Sequence, residues 1–315
     1  MEYITLQNSD LRVSRIGIGG CPMGGYGWGN VQEKELLDAV HAAIHEGINF
    51  FDTADTYGLG QSEITLGKAI GSHRRDVVIA TKFGVRVSKE KTVYDNSPEW
   101  IRKALESSLR RLGTDYVDLY QVHYRDGVTP ISVVVEVLEE LRQKGYIRFY
   151  GLSNIHLKDR DEIEPYIGKF VSFQDEYSLA CRENEGDILE LSNQLKMNPI
   201  TWGSLGQGIL TGKYDRNVEF GPDDRRSREI YVNFHGEKLI KNLEIVEKLK
   251  IISATRNRRV SSCAIRFILD YIPASVVLAG VKRPQQLYSN IEAIDWNYTE
   301  EELEMLDQIS SCNLS

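Results

Sequence analysis

Short apolar runs rich in β-branched and aromatic residues recur along the chain, and amphipathic stretches long enough for helices lie between them. Helical patterns cover 33–46, 98–112 and 132–144, and Ser97-Pro98 before the second is a typical N-cap followed by a first-turn proline. Eight runs are strand candidates: 16–18, 48–51, 77–80, 117–120, 147–150, 171–173, 200–202 and 276–279. This regular alternation predicts an α/β fold, a closed parallel (β/α)8 barrel of the TIM type.

Two segments lie outside the repeat. Residues 3–6 and 13–16 flank Asn8-Ser9-Asp10, which predicts a β-hairpin ahead of the first barrel strand, placed to plug the N-terminal mouth. The stretch 211–236 is rich in Gly, Arg and Asp without clean periodicity, so we expect a long loop near the site. Length alone allows about two domains, but no linker divides the chain, and we expect a single domain over residues 1–315.

Composition and charge serve to disfavour two classes of partner, nucleic acids and membranes. The 38 Lys and Arg residues against 46 Asp and Glu give a net charge of −8, and the densest basic stretches, 225–228 and 256–259, are short. This disfavours a nucleic-acid partner and favours a small-molecule one. No apolar run approaches the roughly 20 residues that span a bilayer, and the first residues lack a signal-peptide pattern, so we expect a cytoplasmic protein without membrane contact.

Neither cysteines nor histidines indicate a metal site. His41 and His45 have helical i, i+4 spacing but no third ligand, so no metal is expected. The four cysteines include no CxxC pair and are expected to be buried free thiols: Cys21, Cys181, Cys263 and Cys312.

Four polar residues follow predicted strands at the end where a parallel barrel carries its active site: Asp52, Tyr57, Lys82 and His123. Together they resemble an acid catalyst. An ammonium beside a phenol lowers the pKa of the phenol, so Lys82 is expected to make Tyr57 a usable proton donor, with Asp52 holding the lysine. His123 would orient a substrate carbonyl. Taken singly, each residue could equally be a turn former, a packing aromatic or a solvated charge.

Three motifs resemble the aldo-keto reductase family. They are GINFFDTADTYG at 47–58 followed by Ser62-Glu63, IATKFG at 79–84, and LGTDYVDLYQVH at 112–123. The similarity runs nearly end to end and is greatest to bacterial inositol-operon-type reductases and plant ketone reductases, which share DNSP at 95–98. The resemblance implies a barrel that binds NADP(H), with NAD(H) less expected, across its C-terminal mouth. The absence of a GxGxxG fingerprint agrees with this, because the family has no Rossmann domain.

The activity that the resemblance implies is reduction of an aldehyde or ketone, including sugar-like or cyclic ketones, or the reverse oxidation, with Tyr57 as general acid and base. An alternative is a nicotinamide-sensing binding subunit like the potassium-channel β subunits. A metal-dependent isomerase or aldolase on the same barrel is a second alternative, since fold alone does not fix function.

The resemblance also assigns cofactor residues. Gly20 and Cys21 match the first cofactor loop, Asp52 is assigned to cofactor binding as well as to catalysis, and Trp202 matches the aromatic that stacks on the nicotinamide. The groups that match the carboxamide partners are Ser153, Asn154 and Gln174. The adenosine end matches Gly280, Lys282, Arg283, Gln286 and Asn290, with Lys282 and Arg283 as expected partners of the 2′-phosphate.

A glycine-rich segment matches the loop that folds over the pyrophosphate: Gly203, Ser204, Leu205, Gly206, Gln207 and Gly208, with Lys213 beyond. The family usually has Ser-Pro-Leu where this chain has Gly203-Ser204-Leu205, which leaves the rigidity of the loop and the release of cofactor open. Candidates for the substrate wall are Met23, Tyr26, Trp28 and Tyr124, together with Tyr57 and His123. The oligomeric state is open.

Overall fold

Twelve strands and ten helices appear in the computed structural model, which describes residues 1–88 and 91–314. The strands are β1 (Tyr3–Thr5), β2 (Arg12–Ser14), β3 (Ile16–Gly19), β4 (Phe50–Asp52), β5 (Val78–Phe83), β6 (Val85–Ser88), β7 (Lys91–Tyr94), β8 (Val117–Val122), β9 (Ile147–Ser153), β10 (Phe170–Glu176), β11 (Asn198–Trp202) and β12 (Val276–Gly280). The helices are α1 (Glu33–His45), α2 (Gln61–Ile70), α3 (Pro98–Leu112), α4 (Ile131–Gln143), α5 (Arg160–Ile163), α6 (Glu185–Leu195), α7 (Gly236–Arg256), α8 (Val260–Tyr271), α9 (Pro284–Ile291) and α10 (Glu300–Ser310).

Eight parallel strands close into a barrel in the order β3-β4-β5-β8-β9-β10-β11-β12, and β12 pairs with β3. Each pair of sequential barrel strands is connected through at least one helix, as parallel pairing requires. All eight strand candidates of the sequence are barrel strands, so the predicted (β/α)8 barrel is confirmed.

The N-terminal hairpin closes the bottom of the barrel. β1 pairs antiparallel with β2, with Tyr3 opposite Ser14. Leu6, Leu11 and Val13 are buried in the same apolar cluster as the inward-facing side chains of the barrel, such as Phe50. The predicted plug is therefore confirmed, and it leaves the opposite mouth for the site.

Packing inside the barrel depends on Gly17 of β3, which has no side chain. A Cβ on Gly17 would lie 2.6 Å from Cδ1 of Phe50, closer than real carbon atoms approach. The Phe50 ring therefore occupies the interior next to a glycine. A second, larger apolar cluster lies between the outer face of the strands and the helices.

Helix α3 shows why the helix boundaries follow the sequence. The Ser97 hydroxyl accepts a hydrogen bond from the Trp100 amide at 3.3 Å, Pro98 occupies the first turn, and Gly113 ends the helix at φ +65°. The three predicted helices have their observed bounds within one residue.

Some features outside the barrel were predicted and one was not. The segment 211–236 is irregular apart from short 3₁₀ turns such as Arg225–Ser227, which confirms the long loop. The antiparallel hairpin β6–β7, inserted after β5, was not predicted. All four cysteines are free thiols, although Cys21 and Cys312 are only partly buried. Within the described residues, no helix has the length and apolar character needed to cross a membrane.

Candidate active site

The C-terminal ends of the barrel strands open onto a cavity of about 940 Å³. Asp52 is the last residue of β4, Lys82 lies near the end of β5, His123 directly follows β8, and Trp202 ends β11. All four line the cavity, as does Tyr57 in the turn between β4 and α2. The barrel thus brings the four predicted catalytic residues together at the mouth where such barrels carry their active sites.

Lys82 and Asp52 form a buried ion pair. The Lys82 Nζ lies 2.5 Å from Asp52 Oδ1 and also donates to the Thr53 carbonyl at 2.9 Å. Both side chains are almost fully excluded from solvent. A single buried charge would be costly, so the close contact between the two side chains is needed to offset the burial of each. The same Nζ donates to the Tyr57 hydroxyl at 3.3 Å, which places the ammonium beside the phenol.

Two glutamines, Gln174 and Gln121, complete the surroundings of Asp52. Gln174 Nε2 donates to Asp52 Oδ2 at 2.5 Å and to Gln121 Oε1 at 3.0 Å, and Gln121 Nε2 donates to the same Asp52 oxygen at 3.2 Å. Both amide hydrogens of Gln174 are thus used within the protein, and only its oxygen remains for the predicted contact with a carboxamide. Sequence reasoning missed Gln121, although a polar residue two positions before His123, on the same face of β8, was an available signal.

The electrostatics of Tyr57 differ from the sequence-based prediction. Burial raises the pKa of the Tyr57 phenol well above its usual value, and the Asp52 carboxylate raises it further. The lowering expected from Lys82 is wrong for this arrangement, because burial of the phenol and the Asp52 carboxylate together outweigh the effect of the lysine charge. Tyr57 is therefore a neutral phenol at physiological pH, a hydroxyl that carries its proton.

His123 is a neutral imidazole. Burial lowers its pKa well below the usual value, and the Lys82 ammonium lowers it further. Its ring packs edge-on against Tyr57 at 5.8 Å and stacks on Tyr124 at 5.1 Å, which fixes its orientation. Its Nδ1 is buried and has no hydrogen-bond partner among the described residues. A neutral ring keeps one N–H that can donate to a ligand.

Of the predicted cofactor residues, only Gly206 does not line the cavity. The Gly20 backbone packs directly against β4, and its amide donates to the Asp52 carbonyl at 2.7 Å. A Cβ on Gly20 would lie 2.7 Å from that same oxygen, so the position has no room for a side chain. Asn154 takes φ +54°, and its Nδ2 donates to the His123 carbonyl at 2.9 Å. The strand ends and glycine-rich loops therefore form one continuous surface.

Basic side chains gather in the same cavity. The predicted cations Lys213, Lys282 and Arg283 line it, together with four that the sequence reasoning did not assign: Arg225, Arg226, Arg258 and Arg259. Burial lowers the pKa of Lys282 to about 8, with further lowering from the nearby Arg226 and Lys213 charges. The basic stretches 225–228 and 256–259 of the sequence were the signal for these four arginines.

The loop after β3 contacts both the long loop 211–236 and the loop after β12. The Arg225 amide donates to the Gly27 carbonyl at 3.0 Å, and the Lys282 ammonium donates to the Trp28 carbonyl. Trp28 and Tyr124 line the cavity, in agreement with their prediction as wall residues. Tyr26 does not line it, being 58% exposed with its hydroxyl bound by Arg228, and Met23 is buried in the core.

Sequence comparison places this fold and site among known proteins. The sequence model of the Aldo/keto reductase family matches residues 15–311. Aldo-keto reductase YhdN of Bacillus subtilis is 34% identical over 100% of this chain and 95% of its own length. The NADH-specific methylglyoxal reductase of Escherichia coli is 30% identical over 98% of both chains.

Solved structures agree. A glycerol dehydrogenase from Gluconobacter oxydans superposes with a TM-score of 0.89 at 31% identity, covering 99% of this chain and 96% of the other. An aldo-keto reductase from Klebsiella pneumoniae in complex with NADPH has a TM-score of 0.76 at 25% identity, covering 98% and 96%. The family match over nearly the whole chain, on a barrel of this topology, shows that the protein belongs to the aldo-keto reductases, a family of oxidoreductases.

Proposed function

We propose that this aldo-keto reductase uses NADP(H) to reduce an aldehyde or ketone to the alcohol, or to run the reverse oxidation, with Tyr57 as general acid and base. The observation that carries the proposal is the position of the Tyr57 hydroxyl. It lies 3.3 Å from the Lys82 ammonium and faces the same cavity as His123 and a group of seven basic side chains.

The residues of the cavity fit a phosphorylated dinucleotide. Seven lysines and arginines suit the pyrophosphate and a 2′-phosphate, and we assign the 2′-phosphate to Lys282 and Arg283. The buried Nδ2 of Asn290 has no hydrogen-bond partner among the described residues and is available to an adenine ring. The half-buried indole of Trp202 offers a flat face for a nicotinamide, and Ser153, Asn154 and the free oxygen of Gln174 suit its carboxamide.

The names of the relatives indicate different nicotinamide cofactors. The Klebsiella pneumoniae protein binds NADPH, whereas the Escherichia coli relative is NADH-specific. The excess of cations in this cavity favours NADPH for this chain, because the two cofactors differ by the charge of one phosphate.

The proton transfer follows from the electrostatics of Tyr57. When bound, the reduced nicotinamide supplies the hydride that the carbonyl carbon receives. Tyr57 donates its proton to the substrate oxygen as negative charge develops there, and its raised pKa does not prevent this, because an alkoxide is a far stronger base than a phenolate. Lys82 then stabilises the phenolate at 3.3 Å, and Asp52 keeps the ammonium in place.

His123 positions the substrate. As a neutral imidazole it donates a hydrogen bond to the carbonyl oxygen without competing with Tyr57 for the role of acid. Trp28, Tyr124 and Trp202 give the cavity aromatic walls, which suit a sugar-like or cyclic ketone.

The test is a panel of sugars, inosose-like ketones, aromatic aldehydes and quinones, assayed with NADPH and NADH in parallel by the loss of reduced-nicotinamide absorbance. We expect carbonyl-dependent oxidation of NADPH, faster than that of NADH, with at least one compound. Tight binding of NADPH with no oxidation across the panel would contradict the proposal and favour a nicotinamide-sensing subunit. Schiff-base trapping on Lys82, or a requirement for a divalent metal, would equally contradict it.

A further inference from the structure

A half-buried carboxylate at the end of β10, outside the four catalytic residues, contacts the loop that follows β11. Glu176 pairs in register with Trp202 across the two strands, so it lies beside the aromatic residue at the cavity. Its Oε1 accepts a hydrogen bond from Gln207 Nε2 at 2.7 Å. Gln207 lines the cavity, and it belongs to the segment 203–208, which we call the β11 loop.

Both the nitrogen and the oxygen of the Gln207 side-chain amide are hydrogen-bonded. While its Nε2 donates to Glu176, its Oε1 accepts from Asn233 Nδ2 at 2.6 Å, and Asn233 in turn accepts from Asn242 of α7 at 3.1 Å. The backbone of Gln207 is left-handed, with φ +54°, which a residue with a Cβ adopts only at a cost. The two side-chain bonds therefore offset the strain of this conformation.

The glycine at the start of the loop depends on the same carboxylate. Gly203 has φ +67°, and a Cβ there would lie 2.8 Å from Glu176 Oε1 and 3.0 Å from its Cγ. Glu176 thus occupies the space that a side chain at 203 would need. The Gly-Ser-Leu sequence, where the family usually has Ser-Pro-Leu, is explained by this: the loop lacks the stiffness of proline, and a contact from β10 supplies its rigidity instead.

We propose that Glu176 is a positioning residue for the cofactor: by binding Gln207 it fixes the β11 loop against the cavity and slows the release of the dinucleotide. The inference rests on the proposed function for the identity of the ligand. The β11 loop contains two backbone turns. The Gly206 amide donates to the Gly203 carbonyl at 2.7 Å, and the Gly208 amide donates to the Leu205 carbonyl at 2.9 Å. We expect these turns to loosen when the Gln207 side chain loses its anchor.

The contact is also sensitive to pH. Burial raises the pKa of Glu176 to about 7, and an ionised carboxylate is a stronger acceptor for an amide than its protonated form. Release is therefore slowest above pH 7 and speeds up as the pH falls through that value. The other titratable groups near Glu176 are Asp175 on β10, Cys181 and Glu183 before α6, Lys238 of α7 and Tyr124 after β8.

The experiment compares Glu176→Ala, Glu176→Gln and the control Glu183→Ala, which removes a nearby carboxylate that bonds Lys238 and Cys181 rather than the loop. NADPH release is measured by rapid displacement at pH 6 and pH 8, and hydrogen exchange of the 203–211 amides is measured without cofactor. We expect Glu176→Ala to release NADPH about tenfold faster at pH 8 and to exchange these amides faster by a similar factor.

Glu176→Gln separates positioning from charge. It keeps a neutral acceptor for Gln207, comparable to the protonated carboxyl, so we expect both the protection of the loop amides and the release rate of NADPH to match those of the wild type at pH 6, and the release rate to stay the same at pH 8. Glu183→Ala should match the wild type at pH 8, where Glu176 is ionised in both proteins. Unchanged release and exchange in Glu176→Ala, with NADPH binding normally to the wild type, would overturn the inference and leave the proposed function intact. Faster loop exchange in a protein that binds no NADPH would instead contradict the proposed cofactor.

Discussion

At the scale of single residues, identity was predictable from the sequence and electrostatic state was not. The three family motifs identify Asp52, Tyr57, Lys82 and His123, and all four line the cavity. The direction of the Tyr57 pKa shift depends on burial and on how close Asp52 lies to Lys82, and neither is visible in a string of residues. Gln121 was missed for the same reason, since its role exists only through the Asp52 oxygen that it shares with Gln174.

Lys282 gives a prediction at this scale. Because its pKa is lowered to about 8, part of the free protein has a neutral Lys282 above that pH, and binding the 2′-phosphate then requires uptake of a proton. The affinity for NADPH should therefore fall as pH rises above about 8, whereas the affinity for NADH should not show this fall. Equilibrium titrations with both cofactors across this pH range measure the difference.

Lys282→Ala is the matched variant for this test. It should weaken NADPH binding by about 10-fold or more, leave NADH binding nearly unchanged, and remove the pH-dependent difference between the two cofactors. Equal losses for both cofactors would show that Lys282 does not contact the 2′-phosphate. Arg283 would then be the remaining candidate of the two.

At the scale of elements, the alternation of apolar runs and amphipathic stretches was sufficient to predict the barrel and its plug. Buried parallel strands are nearly continuous apolar runs, so their positions stand out. The hairpin β6–β7 was not predicted, because β7 is mostly exposed and its sequence, KTVY, contains no apolar run that would mark a buried strand. The five cavity-lining cations of the long loop and of the segment before α8 could be counted in the sequence, but their positions could not be predicted: Lys213, Arg225, Arg226, Arg258 and Arg259.

The hairpin plug gives a prediction at this scale. Leu11→Ala removes a fully buried side chain from the interior cluster at the mouth opposite the site, and should lower the free energy of unfolding by about 2–5 kcal/mol. NADPH affinity of the folded protein should not change. Thermal unfolding and cofactor titration measure the two effects. Leu189→Ala, at a leucine 44% exposed on α6, is the control and should change the melting temperature little. Weaker NADPH binding in Leu11→Ala would mean that the plug also shapes the site.

At the scale of the whole molecule, the distribution of charge matters more than its total. The chain carries a net charge of −8, yet seven basic side chains besides Lys82 line one cavity. The net charge disfavoured a nucleic-acid partner but gave no sign of this basic cavity, because only the fold brings 213, 225–226, 258–259 and 282–283 together. The single-domain organisation over residues 1–315 and the cytoplasmic compartment stay predictions.

The most direct test of the account is Tyr57→Phe, which removes only the hydroxyl oxygen and its proton. We predict a fall in kcat of about 10²- to 10⁴-fold with every reactive carbonyl, while the dissociation constant of NADPH and the melting temperature stay near their wild-type values. Tyr146→Phe, at an exposed tyrosine before β9, is the control and should retain full turnover. Near-normal turnover by Tyr57→Phe with NADPH bound would contradict the assignment of Tyr57 as the proton donor.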